Sequence, residues 1–231
     1  MGFLYLRPRF YFGRGVPHER WMGLELNPII SGSGGGLYTG VRGELPGFDV
    51  RLGARYRFAW TRSFLAPLDG YDHLQVRDRS GPNANYVSLE AQVSYAIPIE
   101  NMAVVGEVTA SYVLPLQGGF FLYEDTLRLI VAAPGFVWGL SCFYRFRFGD
   151  DDAFSVEPGF ELVHMPARGA SVLLRVGAHA AVRMFPDLEA RLTVLPGIIG
   201  PDRLGAGGGH SFLLGLRYRW ATDTPRFGGE S

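Results

Sequence analysis

Lysine is absent from this chain, and all 22 of its basic residues are arginine. A guanidinium is planar, permanently charged and forked, which suits fixed ladders with carboxylates. Genome composition produces the same bias, and the two readings are compatible. Cysteine occurs once, at Cys142. That excludes an intramolecular disulfide framework and any C-x-x-C metal or redox motif. Net charge is zero, with 22 basic against 22 acidic residues, so nothing draws the whole chain to nucleic acid or acidic lipid. Charged residues make up 19% of the chain, below the usual share of about a quarter. Long hydrophobic runs are missing too. The longest charge-free apolar stretch, Leu129 to Phe143, is broken by Pro134-Gly135. It falls short of the roughly 18 residues of a membrane-spanning helix. Met1 leads straight into Phe3-Leu4-Tyr5-Leu6, without the basic start and small-residue cleavage site of a secretory leader.

What is plentiful points to β structure. There are 32 glycines, and aromatic residues reach 14%, a combination of many turns with strand-forming rings. Strict two-residue alternation recurs in eleven segments: 3–12, 20–30, 36–45, 48–61, 86–98, 102–115, 136–148, 153–165, 171–184, 187–195 and 211–220. Most approach the roughly 9–11 residues of a tilted strand crossing a bilayer, and helical periodicity competes in none. Connectors come in two sizes. Pro46-Gly47, Glu100-Asn101, Gly149 to Asp152 and Pro186-Asp187 are tight, whereas 62–85, 116–135 and 196–210 are long. Short turns at one end and long loops at the other is the habit of outer-membrane barrels.

The two faces of each segment differ in kind. In 48–61 one face reads Phe48, Val50, Leu52, Ala54, Tyr56, Phe58, Trp60 and the other Asp49, Arg51, Gly53, Arg55, Arg57. Across the chain the apolar faces carry His164 but no acid or arginine within the crossing. The opposite faces carry thirteen arginines: Arg7, Arg9, Arg42, Arg51, Arg55, Arg57, Arg145, Arg147, Arg175, Arg183, Arg191, Arg217 and Arg219. They also carry eight acids: Glu25, Glu44, Asp49, Glu90, Glu107, Glu157, Glu161 and Glu189, together with His179. Gly23, Gly40, Gly53, Gly139, Gly159, Gly177 and Gly215 share that face and leave room for long side chains.

Alternation alone does not say which face is inside, and a soluble β-sandwich or ligand-binding barrel would bury the apolar one. Three features favour the reverse. A barrel of ten or more strands is too wide to fill with its own side chains. Large apolar-face rings such as Trp60, Tyr95, Tyr112, Phe148 and Trp220 gather near segment ends, as in the aromatic girdles of membrane interfaces. The inner glycines would merely weaken strands on a solvated exterior. The expected fold is therefore all-β, an up-and-down antiparallel transmembrane β-barrel over residues 1–220 with a C-terminal tail at 221–231. About twelve strands are expected, with ten as the alternative, because single-chain bacterial barrels run to even counts. Thr126 to Ala132 is the candidate for the strand that eleven segments leave wanting. Pro8 and Pro158 interrupt segments and should each mark a bulge or a lost ladder bond.

The last segment, Gly215-Leu216-Arg217-Tyr218-Arg219-Trp220, resembles the C-terminal signature of bacterial outer-membrane β-barrel proteins. In that signature a glycine is followed by alternating hydrophobic residues ending on an aromatic. The resemblance covers this strand only, and the chain continues to Ser231. It implies an outer-membrane location, contact with outer-membrane lipid, and recognition of Gly215, Leu216, Tyr218 and Trp220 by the barrel-insertion machinery. A secretory leader is then expected to have been removed, or the start to be truncated or misassigned.

Little else carries chemistry. His210 and Ser211 are adjacent and so point to opposite faces, which disfavours the outer-membrane lipid hydrolase they first suggest. His164 reads as an interfacial residue and His179 as an interior hydrogen-bonder, with no partners for a metal. Asp69, Asp72 and Asp78, and Asp150 to Asp152, lack the spacing of a calcium loop. The Gly32 to Gly36 run opens no helix and is not a phosphate loop. No cofactor, metal, catalytic residue or nucleic-acid partner is expected. Thirteen arginines against eight acids leave the inner face at about +5. Such an interior suits a narrow channel, or a plugged barrel acting as a membrane-embedded structural component of an envelope complex, with loops 62–85 and 116–135 open to other envelope proteins.

Overall fold

The computed structural model describes residues 5–16, 19–68, 70–71, 75, 81–100, 102–118, 121–124, 127, 129–149, 153–168, 172–185, 187–200 and 210–218. Alternating sequence becomes strand throughout: β1 (Tyr5–Leu6), β2 (Phe10–Val16), β3 (Arg20–Ser31), β4 (Gly34–Leu45), β5 (Phe48–Ala59), β6 (Tyr86–Ile99), β7 (Met102–Pro115), β8 (Phe121–Glu124), β9 (Leu129–Ala132), β10 (Gly135–Phe148), β11 (Phe154–His164), β12 (Val172–Phe185), β13 (Leu188–Leu195), β14 (Gly197–Ile199) and β15 (Ser211–Tyr218). Thirteen of these form one antiparallel up-and-down sheet, in the order β1, β3, β4, β5, β6, β7, β10, β11, β12, β13, β15. β2 also pairs with β3, and β14 with β12.

The two side branches have a common cause. β1 and β2 lie on the same edge of β3, one against each end of it, and Arg7-Pro8-Arg9 separates them. β13 and β14 likewise share one edge of β12, with Pro196 between them. Each pair is a single wall strand interrupted where a proline cannot donate to the ladder. Pro158 acts more gently. The β10–β11 register continues past it, but the pairings of Tyr144 with Pro158 and Arg145 with Glu157 drop out of the ladder. Both expected interruptions are present. The wall is the expected sheet of about twelve strands, with eleven positions along its path.

The four tight connectors read from the sequence fall at one end of the wall and the three long ones at the other, where the two-residue Gly32-Ser33 turn between β3 and β4 joins them. At the short end Gly47 and Gly149 turn with φ of 70° and 79°, a left-handed conformation that a glycine adopts without steric cost. At the long end the expected further wall strand is absent. Of the expected 126–132 strand, the described Leu129–Ala132 does not enter the sheet but forms β9, which pairs with β8 as a separate hairpin. Leu122, Leu129, Ile130 and Val131 of that hairpin are fully buried. They pack against Tyr86, Val113, Val137, Val163 and Leu173 from the loop-end rim of the wall and Phe64 from the 60–85 loop, and against Leu65 and Tyr71 from the same loop. The apolar core of the molecule is thus a plug at one end. Tyr86 of β6 and Arg175 of β12 both reach this hairpin, so the sheet curls around it like a barrel wall. No helix of the described residues is long and apolar enough to span a membrane.

Candidate functional site

Burial divides the two faces of the wall in the sense opposite to a soluble protein. On β5, Leu52 is 52% exposed and Trp60, just beyond the strand, 49%, while Arg55 and Arg57 of the other face are 6% and 5% exposed. Tyr56, Phe58 and Trp60 form a continuous run of rings at the loop end, with centroids 6.1 and 5.4 Å apart. Phe148 and Phe154 do the same at the turn end, at 6.0 Å. Between these belts the outward face is aliphatic, with Leu52, Leu89, Val108 and Val176 all exposed.

The inner face is a set of short charge ladders running from strand to strand. Near β3 to β5, Arg42 contacts Glu44 at 2.6 Å and Asp49 at 2.5 Å. Arg51 contacts Asp49 at 3.2 Å and Glu25 at 3.6 Å. Glu25, wholly buried, also accepts a hydrogen bond of 2.7 Å from the Asn27 amide. From β5 to β6, Arg55 makes a forked pair with Glu90 at 2.7 and 2.8 Å, the bidentate geometry that only arginine offers. Further round, Arg145 donates to Glu157 at 2.5 Å, Arg175 to Glu161 at 2.8 Å, and Arg191 pairs with Glu189. Glu107 differs, for it is held by the Gln92 amide at 2.5 Å and lies 3.5 Å from the Ser94 hydroxyl. His179 shares a hydrogen bond of 2.8 Å with Thr193 and lies 4.5 Å from the Phe143 ring.

The expected interior residues within the described chain fall into three grades of burial. Glu25, Glu44, Arg55, Arg57 and Arg175 are buried. Arg7, Arg42, Asp49, Arg51, Glu90, Glu107, Arg145, Glu157, Glu161, His179, Arg183 and Glu189 are partly buried. Arg9, at the break before β2, and Arg147, Arg191 and Arg217, toward the turn end, are exposed. Arg219 and Trp220 lie outside the described residues, as does the tail 221–231. Gly215, Leu216 and Tyr218 occupy β15, with Leu216 and Tyr218 outward. The inner glycines do make room, though partly for rings. A Cβ at Gly40 would stand 2.6 Å from the Tyr38 hydroxyl, and one at Gly53 2.7 Å from the same atom.

Below the hairpin these ladders border a half-open cavity of about 430 Å³. Glu107, Glu161, Arg175, His179 and Arg191 line it beside Phe143. Its roof is latched by polar contacts that the strand pattern did not announce. Arg175 donates to the Leu127 carbonyl at 3.0 Å and Arg168 to that of Ile130 at 3.1 Å. Glu124 accepts the Tyr86 hydroxyl at 2.7 Å and the Leu127 amide at 2.5 Å. Arg62 lies over the Tyr123 ring at 4.5 Å. The one sequence signal of the hairpin is Leu129-Ile130-Val131-Ala132 itself. Four apolar residues in a row, without alternation, mark a strand buried on both faces rather than one in a two-faced wall.

The histidine and serine beside β15 do not act together. His210 accepts the Gly197 amide through Nδ1 at 2.9 Å, whereas Ser211 is buried on the inner face. His164 lies outward in edge contact with Trp138 at 5.7 Å. Among the described residues no group of His, Cys, Asp and Glu is arranged to hold a metal. Comparison of the chain with family models, curated proteins and solved structures finds no match.

Proposed function

We propose that this protein is a transmembrane β-barrel of the bacterial outer membrane, working as a closed, membrane-embedded component of the envelope rather than as an open pore. One observation carries the reading: the wall exposes its leucines, valines and rings, while most of its inner-face arginines and glutamates are buried or partly buried. In water that arrangement wastes the hydrophobic driving force. Against acyl chains it is the only affordable one, since an arginine at the midplane costs about 2–4 kcal/mol. The ring belts flanking an aliphatic band supply the two interfaces. Lipid is then the principal partner, and β15 with its outward Leu216 and Tyr218 is the segment read by the insertion machinery.

The closed state follows from the hairpin. A barrel this wide leaves an aqueous lumen unless something fills it, and here an apolar plug fills the loop end. Most described residues of 121–133 face inward, so a partner surface at this end belongs to the remaining loop segments. The cavity beneath the plug favours a second reading, in which release of the hairpin opens a narrow channel; its lining sets Glu107, Glu157 and Glu161 against Arg175 and Arg191, so any anion preference would come from the arginines elsewhere on the inner face.

The test uses the full chain folded in detergent and in planar bilayers. Unboiled protein is expected to migrate faster than boiled protein on a denaturing gel and to conduct no steady current. Removal of 119–132 with a short glycine linker is expected to give discrete conductance steps. Leu89→Arg, at mid-wall, is expected to lose about 2–4 kcal/mol in bilayer-based unfolding. Monomeric solubility without detergent, or an unchanged stability of Leu89→Arg, sinks the membrane reading. Steady current from the intact chain sinks only the closed state.

A further inference from the structure

Long charged side chains crowd the inner face over β3 to β5, but the sector around the cavity is built differently. Ser94, Ser141, Ser155, Thr193 and Ser211 line it, at inward positions of the kind that carry Arg42, Arg51 and Arg55 on β4 and β5. Short hydroxyl side chains make the room and edge it with polar atoms. At about 430 Å³ the space falls within the range of small-molecule sites, roughly 300–1,000 Å³.

Its charge is the reverse of the face it belongs to. The inner face as a whole carries an excess of arginine, whereas the cavity is lined by Glu107, Glu157 and Glu161 against Arg175 and Arg191. Four of these five have an ionic partner: Glu157 has Arg145, Glu161 and Arg175 have each other, and Arg191 has Glu189. Glu107 is the exception. Its hydrogen bonds come from neutral groups, the Gln92 amide and the Ser94 hydroxyl, and both fall on Oε2. Arg51 acts on it only at longer range, its own ionic contacts being Asp49 and Glu25. His179 bonds to Thr193 and stands in register with Glu157 rather than Glu107. The cavity thus holds one carboxylate more than its close cations balance.

Register fixes where the charge of a ligand sits. Glu107 of β7 stands opposite Ser141 of β10, and Ser141 opposite Glu161 of β11. All three belong to the inward face, and all three line the cavity. Two strand spacings separate the glutamates, about 10 Å between Cα atoms, with only a hydroxyl between them. Glu161 accepts from Arg175 on Oε2, so among the described residues the Oε1 atoms of both glutamates accept no hydrogen bond. Phe143 follows Ser141 on the same face of β10 and lines the same cavity. A primary ammonium has three N–H donors and no acceptor, one donor for each of Glu107, Glu161 and Ser141, and an aromatic face attracts a cation. We infer that the cavity is a binding site for a small primary amine in its ammonium form. Glu107 is the counter-ion, Glu161 and Ser141 are the further acceptors, and Phe143 lies against the carbon body. A metal ion does not suit the same place, since no group of His, Cys, Asp and Glu among the described residues is arranged to hold one. The inference goes beyond the closed barrel proposed above, and its failure leaves the Leu89→Arg test untouched.

The test is titration calorimetry on the full chain folded in detergent. The probes are 2-phenylethylammonium and butylammonium, compared with the neutral 3-phenylpropan-1-ol and the anionic 3-phenylpropanoate. Both ammonium probes are expected to saturate a single site, and the alcohol and the anion to bind at least tenfold more weakly. Trimethylation of 2-phenylethylammonium keeps the charge but removes every N–H donor, and is expected to cost at least threefold. Glu107→Gln is expected to weaken both ammonium probes at least tenfold, and Ser141→Ala about threefold. Glu157→Gln, which alters a lining carboxylate already tied to Arg145, is expected to change them less than threefold. Faster gel migration of unboiled protein verifies that each variant is folded. Should Glu107→Gln fail that check, the Ser141→Ala loss and the ranking of the ligands carry the test. Equal affinity for ammonium and alcohol, or tighter binding of the anion, overturns the inference. So does unchanged binding in folded Glu107→Gln, or the lack of a saturable site for either ammonium probe.

Discussion

The two ends of the wall are built from the same alternating strands and yet hold different contents. At the loop end the inner face meets an apolar hairpin, and Val113, Val137, Val163 and Leu173 replace charge where they touch it. At the turn end the inner face carries Arg147, Arg191 and Arg217, all exposed. The outward face does not register the change, because exposed rings and aliphatic residues run along it from end to end. Outer polarity is thus uniform along the wall, whereas inner polarity answers to whatever fills the barrel at that level. An arginine–carboxylate pair should then be worth much at the plug and little at the turn end, and three substitutions examine that gradient.

The largest effect is expected at Arg175, only 2% exposed. Its guanidinium joins wall to plug through Glu161 at 2.8 Å and the Leu127 carbonyl at 3.0 Å. Arg175→Ala strands a buried carbonyl and a half-sheltered carboxylate. Breaking one side of a buried pair costs roughly 3–5 kcal/mol, and the lower part of that range applies because Glu161 keeps some contact with the cavity. Urea unfolding in lipid vesicles measures the loss. Intermittent current in planar bilayers should accompany it, since the same side chain holds the roof. A loss below about 1 kcal/mol would mean that the plug stays in place by apolar packing alone.

Glu124 comes next, on the hairpin itself. Its two oxygens accept from the Tyr86 hydroxyl and the Leu127 amide. Glu124→Gln keeps one acceptor and turns an amide N–H toward the other donor, at an expected cost of about 1–3 kcal/mol. A double-mutant cycle with Tyr86→Phe isolates the part that passes between hairpin and wall. A coupling near zero would break the comparison between the two ends, because it would make the hairpin self-contained.

The sequence made the wall legible and the plug illegible for one physical reason. A strand between lipid and a polar interior must alternate, so Phe48 to Trp60 declares its two environments residue by residue. The segment boundaries read from that alternation agree closely with β3 to β7 and β10 to β13. The hairpin has one environment on all sides, so its pattern is only an apolar run, which a short strand anywhere in the sheet could share. Its latches are harder still. Tyr86 and Glu124 are 38 residues apart and Arg175 and Leu127 are 48, and no local periodicity links such pairs. Arg175 was legible as an interior residue but not as the residue that holds the roof.

The smallest effect belongs to Arg191, which pairs with Glu189 on its own strand and has a side chain 48% exposed. The contact resembles that of Arg175 with Glu161 in chemistry, differing in what surrounds it. Water screens the pair and competes for both partners, and ordering two long side chains offsets part of the attraction, so exposed pairs contribute about 0–1 kcal/mol. Arg191→Ala should therefore change unfolding in vesicles by less than about 1 kcal/mol, and the difference should shrink further between low and high salt, where the Debye length falls from about 30 to 3 Å. The Arg175→Ala loss should hardly respond to the same salt, because its partners are sheltered by the plug. Equal salt dependence at the two sites would show that water reaches the roof as freely as the turn end, and the gradient argued from burial would be wrong.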